Sequence, residues 1–442
     1  MRCDDEFTAV RRDSSRHPRG SCHRSRRSHH DAPRHRCARG FIVPLHRLQG
    51  DASSRGGDSA RSRVRPVSRG HVMIPRRVLV VTGSRSEFGL LRSTLDALHA
   101  HPETTCSLIV AGSHLIGPNP TVHEVESRYH VDGVVQMQLD SEPRTRGSDA
   151  HAFSRGVKGF TDLFIDLEPD FVLILGDRIE IFAAASAAGI LGVRVAHVHG
   201  GDVAIGVADE SMRHATTKLS HLHLPATRRS ADRILAMGER PDSVHVVGSP
   251  AIDGLDSIPA LDDEAWSALG APELLVQMHP IGLSDDFERT QLTTLLDSLS
   301  RFGRVVVMAP NSDPGCDGIR SAILESGLPL IEHLPRSEFI GLLRRISILV
   351  GNSSAGLLEC AALGVPVLDV GDRQAGRERG GNVRHVDSIT GPGLRAIVSE
   401  MLNDPRPAAD TRFGSGCTGR TIAELLAGLD LNDLPVRKRW HS

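Results

Sequence analysis

Strands that are apolar on both faces, separated by amphipathic stretches, leave this chain few folds to adopt. The run Phe171-Val-Leu-Ile-Leu175 has no polar alternation, so both of its faces must be covered, as they are by helices packed on either side of a parallel sheet. The same unit recurs along the chain. Segments 78–82, 107–111, 193–198 and 244–247 read as further strands, with helices at 88–99, 154–167 and 179–191 between them. A polar stretch from Asp253 to Ala271, containing Pro259 and Gly270, then interrupts the pattern. Alternation restarts with strands at 274–278, 305–309, 328–331, 348–350 and 365–370 and helices at 287–299, 318–326, 337–345 and 355–363. The economical architecture is α/β, two Rossmann-like doubly wound domains facing a cleft, over residues 73–252 and 253–430.

The first 72 residues do not share this pattern. They hold 17 arginines, no lysine and seven acidic residues, a net of +10, whereas the rest of the chain has 35 basic and 47 acidic side chains, a net of −12. The overall charge of −2 therefore describes neither part, and the body has no basic excess to draw nucleic acid or anionic lipid. From 11 to 39 the sequence mixes Arg, Ser, His and Pro without apolar periodicity. Such a segment cannot offset its ordering entropy, so a disordered basic extension is expected. Its composition suits a transit peptide or a nonspecific nucleic-acid arm. It also suits a stretch ahead of the true start: arginine outnumbers lysine 49 to 3 in the whole chain, as in a GC-rich reading frame, and Met73 lies just before the first strand. Translation from Met73 is the expectation. The most apolar piece, 41–45, is five residues long and contains Pro44, too short for a signal core or a membrane span. Of the seven cysteines, the four in the body (Cys106, Cys316, Cys360 and Cys417) lack C-x-x-C or metal-like spacing. A reduced, cytoplasmic protein without a metal is expected, with Cys360 in the core.

Ligands of doubly wound sheets sit beyond the carboxyl ends of the strands, and the loops there carry the chemistry-bearing residues. Gly83-Ser-Arg85-Ser-Glu87-Phe-Gly89 lacks the G-x-G-x-x-G spacing. Its Arg85 and Glu87 suit a phosphate or sugar, or else a solvated loop with Glu87 at a helix start. Gly176-Asp177-Arg178 opens a helix, so Asp177 is either an acid in the cleft or a cap, and Arg178 completes a charge pair at the ligand-facing edge. The densest group is His197-Val-His199-Gly-Gly-Asp202 followed by Asp209-Glu-Ser-Met-Arg213-His214: three histidines, three acids and an arginine in eighteen residues. It suits acid/base catalysis better than zinc, because H-x-H along a strand points its rings to opposite faces. In the second half, Gln277-Met-His279-Pro280 ends a strand with a histidine suited to catalysis or phosphate contact. Gly351-Asn352-Ser353-Ser354-Ala-Gly356 leads into a helix, offering N–H groups, hydroxyls and a dipole to a pyrophosphate, with Glu359 one turn on for a ribose. The Gly/Arg-rich loop from Gly371 to Asn382, with Arg373, again fits phosphates.

Taken in order over 78–421, these motifs resemble those of the hydrolysing UDP-N-acetylglucosamine 2-epimerases, which supply N-acetylmannosamine-type sugars for sialic-acid and related nonulosonic-acid synthesis. The resemblance implies the glycosyltransferase-B arrangement of two Rossmann domains and a reaction that removes the C2 proton, expels UDP to leave a glycal, and adds water. It implies Asp177 and Asp209 as catalytic acids and His279 as the aid to leaving-group departure or proton transfer. Some family members carry Glu where this chain has His199, so the base's role falls to His199, Asp202 or Asp209. Arg85, Ser353, Ser354, Glu359 and Arg373 would hold UDP. Glu87, Arg178, Arg213, His214, Asn311, Asn352 and Gly356 complete the implied substrate site. The partner is a UDP-sugar, either UDP-N-acetylglucosamine or a 2,4-diacetamido-6-deoxy analogue, with no cofactor, no nucleic acid and a homo-oligomeric state, dimer or tetramer. The rivals are a non-hydrolysing epimerase, whose usual His-x-Glu-Ala-Gly motif is absent, a glycosyltransferase of the same fold and a nucleotide-sugar sensor.

Overall fold

The computed structural model describes residues 75–438 apart from 118, 144, 205–209, 312 and 388–391. The basic extension at 1–72, Met73 and Asp209 lie outside the described residues. Two six-stranded sheets, parallel throughout, carry the chain. The first holds β1 (Arg76–Thr82), β2 (Thr104–Ala111), β3 (Gly133–Val135), β4 (Phe171–Leu175), β5 (Arg194–Val198) and β6 (Leu222–Leu224). The second holds β7 (Leu274–Gln277), β8 (Val305–Met308), β9 (Leu330–Ile331), β10 (Ile348–Gly351), β11 (Val367–Val370) and β12 (Val383–Val386).

The helices of the first half are α1 (Arg85–Ala100), α2 (Val122–Glu126), α3 (Arg146–Leu167), α4 (Ile179–Leu191), α5 (Glu210–Leu219) and α6 (Arg228–Ala236). They are followed by α7 (Asp263–Ala268), α8 (Asp285–Leu299), α9 (Cys316–Ser326), α10 (Arg336–Leu343), α11 (Glu359–Leu363), α12 (Pro392–Asn403) and α13 (Thr418–Gly428). None of the described helices is long and apolar enough to cross a membrane.

The sheet orders are β3-β2-β1-β4-β5-β6 and β12-β11-β10-β7-β8-β9. Each is the Rossmann order, with a switch point between β1 and β4 in one and between β7 and β10 in the other, so both ligand crevices are fixed by topology. As the lack of alternation requires, all five residues of β4 are buried. Apolar clusters cover both faces of each sheet, and Cys360 is fully buried in one of them.

Three short strands escaped the sequence pattern: β3, β6 and β12 have only three or four residues each. The expected strand at 244–247 is no strand. The segment runs beside β6 with a single bridge, Val244 to His223, and donates from the His245 and Val247 N–H groups to His223 O and Pro225 O at 2.9 and 3.1 Å, while Val246 is half exposed. The expected helix at 355–363 is broken into a 3-10 turn, Ser354–Gly356, and the short α11. Gly356 packs so tightly on β11 that an added Cβ would lie 2.9 Å from Val367 Cγ1.

The end of the chain returns to the first sheet. Although the sequence pattern places 418–428 with the second domain, Ile422, Ala423 and Leu426 of α13 join the cluster of Leu91, Leu95 and Val78. At Gly419 an added Cβ would sit 2.5 Å from the Ser93 carbonyl, so α13 approaches α1 at backbone distance. The chain therefore crosses between the lobes twice, near 248–253 and 413–419. The crossings are bonded side by side: Ser249 N–H donates to Phe413 O at 2.6 Å, and Asp253 accepts from the N–H groups of Thr418 and Gly419 at 2.9 and 2.7 Å.

Beyond α13 the tail docks on the first lobe through Glu239, which is almost fully buried. Burial works against its carboxylate, but His223, Lys218 and Lys438 donate to it and draw its pKa down to about 2. A depressed carboxyl stabilises the fold above its unfolded pKa of about 4.3, and that contribution is lost as pH falls towards 2. Glu239→Gln is expected to remove on the order of 2 kcal/mol at pH 7 and to flatten the decline in Tm between about pH 5 and 3. Melts of both proteins across that range check this; parallel declines would contradict it.

Candidate active site

The first-lobe half of the site is built at the ends of β4 and β5. Gly176 turns the chain out of β4 at φ +86, and the buried His197 of β5 donates from Nε2 to the Gly176 carbonyl at 2.8 Å. Burial lowers the His197 pKa to about 4, so it is a neutral pin beneath the loop. Asp177 does not cap α4. The N-cap is Arg178, whose side chain makes no capping bond to the helix, and Asp177 Oδ2 instead accepts from Arg213 of α5.

Among the described residues Arg213 is the largest fully buried side chain. It donates to Asp177, to Glu210 one turn earlier on α5, and at 3.3 Å to the Asp202 carbonyl. Burial, and then the charge of Arg377, lower its pKa, yet with three acceptors around it the group stays a guanidinium cation. Glu210 also meets His214 Nε2 at 3.2 Å and accepts from the Ala204 N–H at 2.8 Å.

His199 follows β5 in the left-handed region, φ +63, a conformation costly for a residue with a Cβ. Both ring nitrogens are engaged: Nδ1 meets Asp202 Oδ2 at 2.9 Å and Nε2 meets Ser249 Oγ at 2.8 Å. Only glycine fits at 201, where φ is +75 and a Cβ would lie 2.2 Å from the Ser230 carbonyl. Ser230 Oγ donates to the other Asp202 oxygen at 2.7 Å. Burial disfavours the Asp202 carboxylate, but the hydrogen bond and charge of His199 and the charge of Arg377 hold its pKa below the usual range.

The second-lobe half is built at the ends of β7, β8 and β10. The Asn352 amide clamps His279 by its backbone, accepting from the N–H at 2.7 Å and donating to the carbonyl at 2.8 Å. The Asn311 N–H donates to His279 Nδ1 at 3.1 Å. That bond fixes the tautomer: a nitrogen accepting from a backbone amide carries no proton, so Nε2 bears it. Burial, and then the charge of Arg373, lower the His279 pKa to about 3, leaving a neutral ring with an N–H donor. Gly351 lets β10 lie against β7, since at φ +146 its Cβ would fall 2.0 Å from the Gln277 carbonyl. Ser353 caps the 3-10 turn that follows, and Arg373 Nη1 and Gln374 Nε2 donate to the Asn352 carbonyl at 3.2 and 2.7 Å.

Arg178 joins the halves by donating to Asp313 Oδ1 at 3.0 Å. Between them opens a cleft lined by Gln138, Asp149, Arg178, Pro280, Ile281 and Asp313.

A profile of the family described as UDP-N-acetylglucosamine 2-epimerase matches residues 96–427. The chain belongs to the UDP-N-acetylglucosamine 2-epimerase family. It is 33% identical over 375 residues, 82% of this chain and 98% of the relative, to a Legionella pneumophila protein named UDP-N,N'-diacetylbacillosamine 2-epimerase (hydrolyzing). To the Neisseria meningitidis UDP-N-acetylglucosamine 2-epimerase it is 31% identical, covering 80% of this chain and 94% of the relative. The fold matches the crystal structure of a Neisseria meningitidis UDP-GlcNAc 2-epimerase bound to UDP-GlcNAc, with TM-score 0.66, 21% identity and coverage of 79% of this chain and 99% of that one.

Within this epimerase fold, two clusters hold most of the residues singled out by sequence. Asp177, His199, Asp202, Arg213 and His214 form one; His279, Asn311, Asn352, Ser353 and Arg373 form the other. Arg85 is exposed at the start of α1, and Ser354 is half-buried in its turn. Three residues stand apart. Glu87 turns inward as the partner in a capping box with Ser84, accepting from the Gly83 N–H at 2.8 Å, and burial with the nearby Glu180 charge raises its pKa to about 8. Gly356 packs on β11, and the buried Glu359 pairs with Arg336 at 3.3 Å. Asn352 spends its side chain on the His279 backbone.

Glu210, Ser249 and Asp313 were not singled out by sequence. Glu210 was legible in its i+3 and i+4 spacing to Arg213 and His214; Ser249 and Asp313 act through partners 50 and 135 residues away. The described residues close enough to share a cation, Asp372, His385 and Asp387, are exposed beside β12.

Proposed function

We propose that this epimerase hydrolyses its substrate, converting UDP-N-acetylglucosamine or its 2,4-diacetamido-6-deoxy analogue, with water, to the free manno-configured sugar and UDP. The observation that carries this reading is the division of labour between the lobes: carboxylates organised by Arg213 on one side, neutral and cationic donors on the other. A weak carbon acid needs a placed base, and a departing diphosphate needs donors aimed at it. Asp177 is the base in this reading, because Oδ2 is held by Arg213 while Oδ1 makes no hydrogen bond to a described residue. It takes the C2 proton as the C1–O bond breaks and UDP leaves with the bonding pair, giving the glycal. His279 donates from Nε2 to the departing diphosphate, with Arg373 and the Ser353-Ser354 turn beside it. Water then adds hydroxide at C1 and a proton at the opposite face of C2. The diacetamido sugar as substrate and the hydrolytic outcome are favoured by the name of the Legionella relative.

Incubation with each UDP-sugar in deuterium oxide, followed by NMR, tests this. The expected product is free manno-configured sugar with deuterium at C2, together with UDP. A UDP-linked manno sugar would establish the non-hydrolysing reaction instead, and protium retained at C2 with release of UDP only on adding an acceptor would indicate a transferase.

A further inference from the structure

Arg178 is held from both lobes. Its Nε lies 3.4 Å from Glu180 Oε2 on its own helix, and its Nη1 donates across the cleft to Asp313, which follows β8. The second Asp313 oxygen accepts from the Asn311 side-chain amide, and Asn311 is the residue whose N–H fixes the His279 tautomer. One carboxylate thus touches the first-lobe guanidinium next to Asp177 and the residue that orients the second-lobe imidazole.

We propose that Asp313 is a positioning residue for this reaction, setting Arg178 directly and His279 through Asn311, at the expense of attraction for the diphosphate. The inference rests on the UDP-sugar reading above. Burial disfavours the Asp313 carboxylate, but the charges of Arg178 and Arg373 hold its pKa below the usual range. The same proximity means that Asp313 offsets two cations an incoming diphosphate would use. Binding and turnover therefore respond to Asp313 in opposite directions, whereas a residue needed only for the fold would move both the same way.

Asp313→Asn keeps the shape and an acceptor for Arg178 while removing the charge. UDP affinity by calorimetry is expected to equal or exceed the wild type, by up to about 10-fold, while kcat falls about 10- to 100-fold from the misplaced groups. Asp313→Glu retains the charge but moves it by one methylene, and is expected to lose kcat with no gain in UDP affinity. Asp317→Asn, which neutralises an exposed acid on α9, should change neither quantity. Weaker UDP binding together with lower kcat in Asp313→Asn would overturn the proposal, as would wild-type kcat in either Asp313 variant. If the wild-type protein neither bound UDP nor turned over a UDP-sugar, the reading beneath the proposal would fall, and the proposal with it.

Discussion

Asp177→Asn is expected to lower kcat by about three orders of magnitude or more while leaving UDP affinity within about twofold of the wild type. The substitution keeps the side chain's size and an oxygen for Arg213, so the loop after β4 retains its hydrogen bond. What it loses is the basicity of the second oxygen. An amide cannot take a proton from C2 at any useful rate, and a factor of a thousand corresponds to about 4 kcal/mol of barrier. UDP is bound by second-lobe groups in this reading, so its affinity should be untouched. Steady-state kinetics and calorimetry on the same preparation provide the check. A variant with near-normal kcat would remove Asp177 from the chemistry, and one that also loses UDP would place it in binding instead.

Arg213→Met should cost about 3 kcal/mol of stability and all measurable turnover. Methionine fills much of the arginine's volume, so the cavity left behind is small. The cost comes from the acceptors left behind: the Asp177 and Glu210 carboxylates and the Asp202 carbonyl all lose one shared cation. The value sits near the low end for a broken buried pair because both carboxylates keep about a fifth of their side-chain surface in solvent, 21% for Asp177 and 23% for Glu210. Denaturant melts measure the loss, and the double variant with Asp177→Asn should recover about 1 kcal/mol or more, since only one uncompensated carboxylate then remains. Strict additivity of the two substitutions would show that Asp177 and Arg213 are not coupled.

Much of this molecule was legible before its coordinates, because its logic is periodic. Strands without alternation, helices between them and glycine-bounded loops after them specify doubly wound sheets, and the residues following β4, β5, β7 and β10 fall at the crevices that such sheets create. Two kinds of information were missing. Short edge strands such as β3, with three residues, lack enough sequence to show a period, and the break at Gly356 arises from contact with β11 rather than from its own neighbours. The other kind is partnership at long range. Nothing local marks Asp313 as the acceptor for Arg178 or Ser249 as the partner of His199. Glu87 was the opposite case: Ser84-x-x-Glu87 is a local capping signature, in keeping with the alternative that put Glu87 at a helix start, although the side chain is buried rather than solvated.

The paired crossings near 248–253 and 413–419 have a mechanical meaning. Two backbone segments bonded side by side resist shear and twist between the bodies they connect, but they bend readily about the line they share. The cluster around Arg213 and the cluster around His279 therefore stand on opposite sides of a double joint. Moving one cluster relative to the other bends both crossings at once.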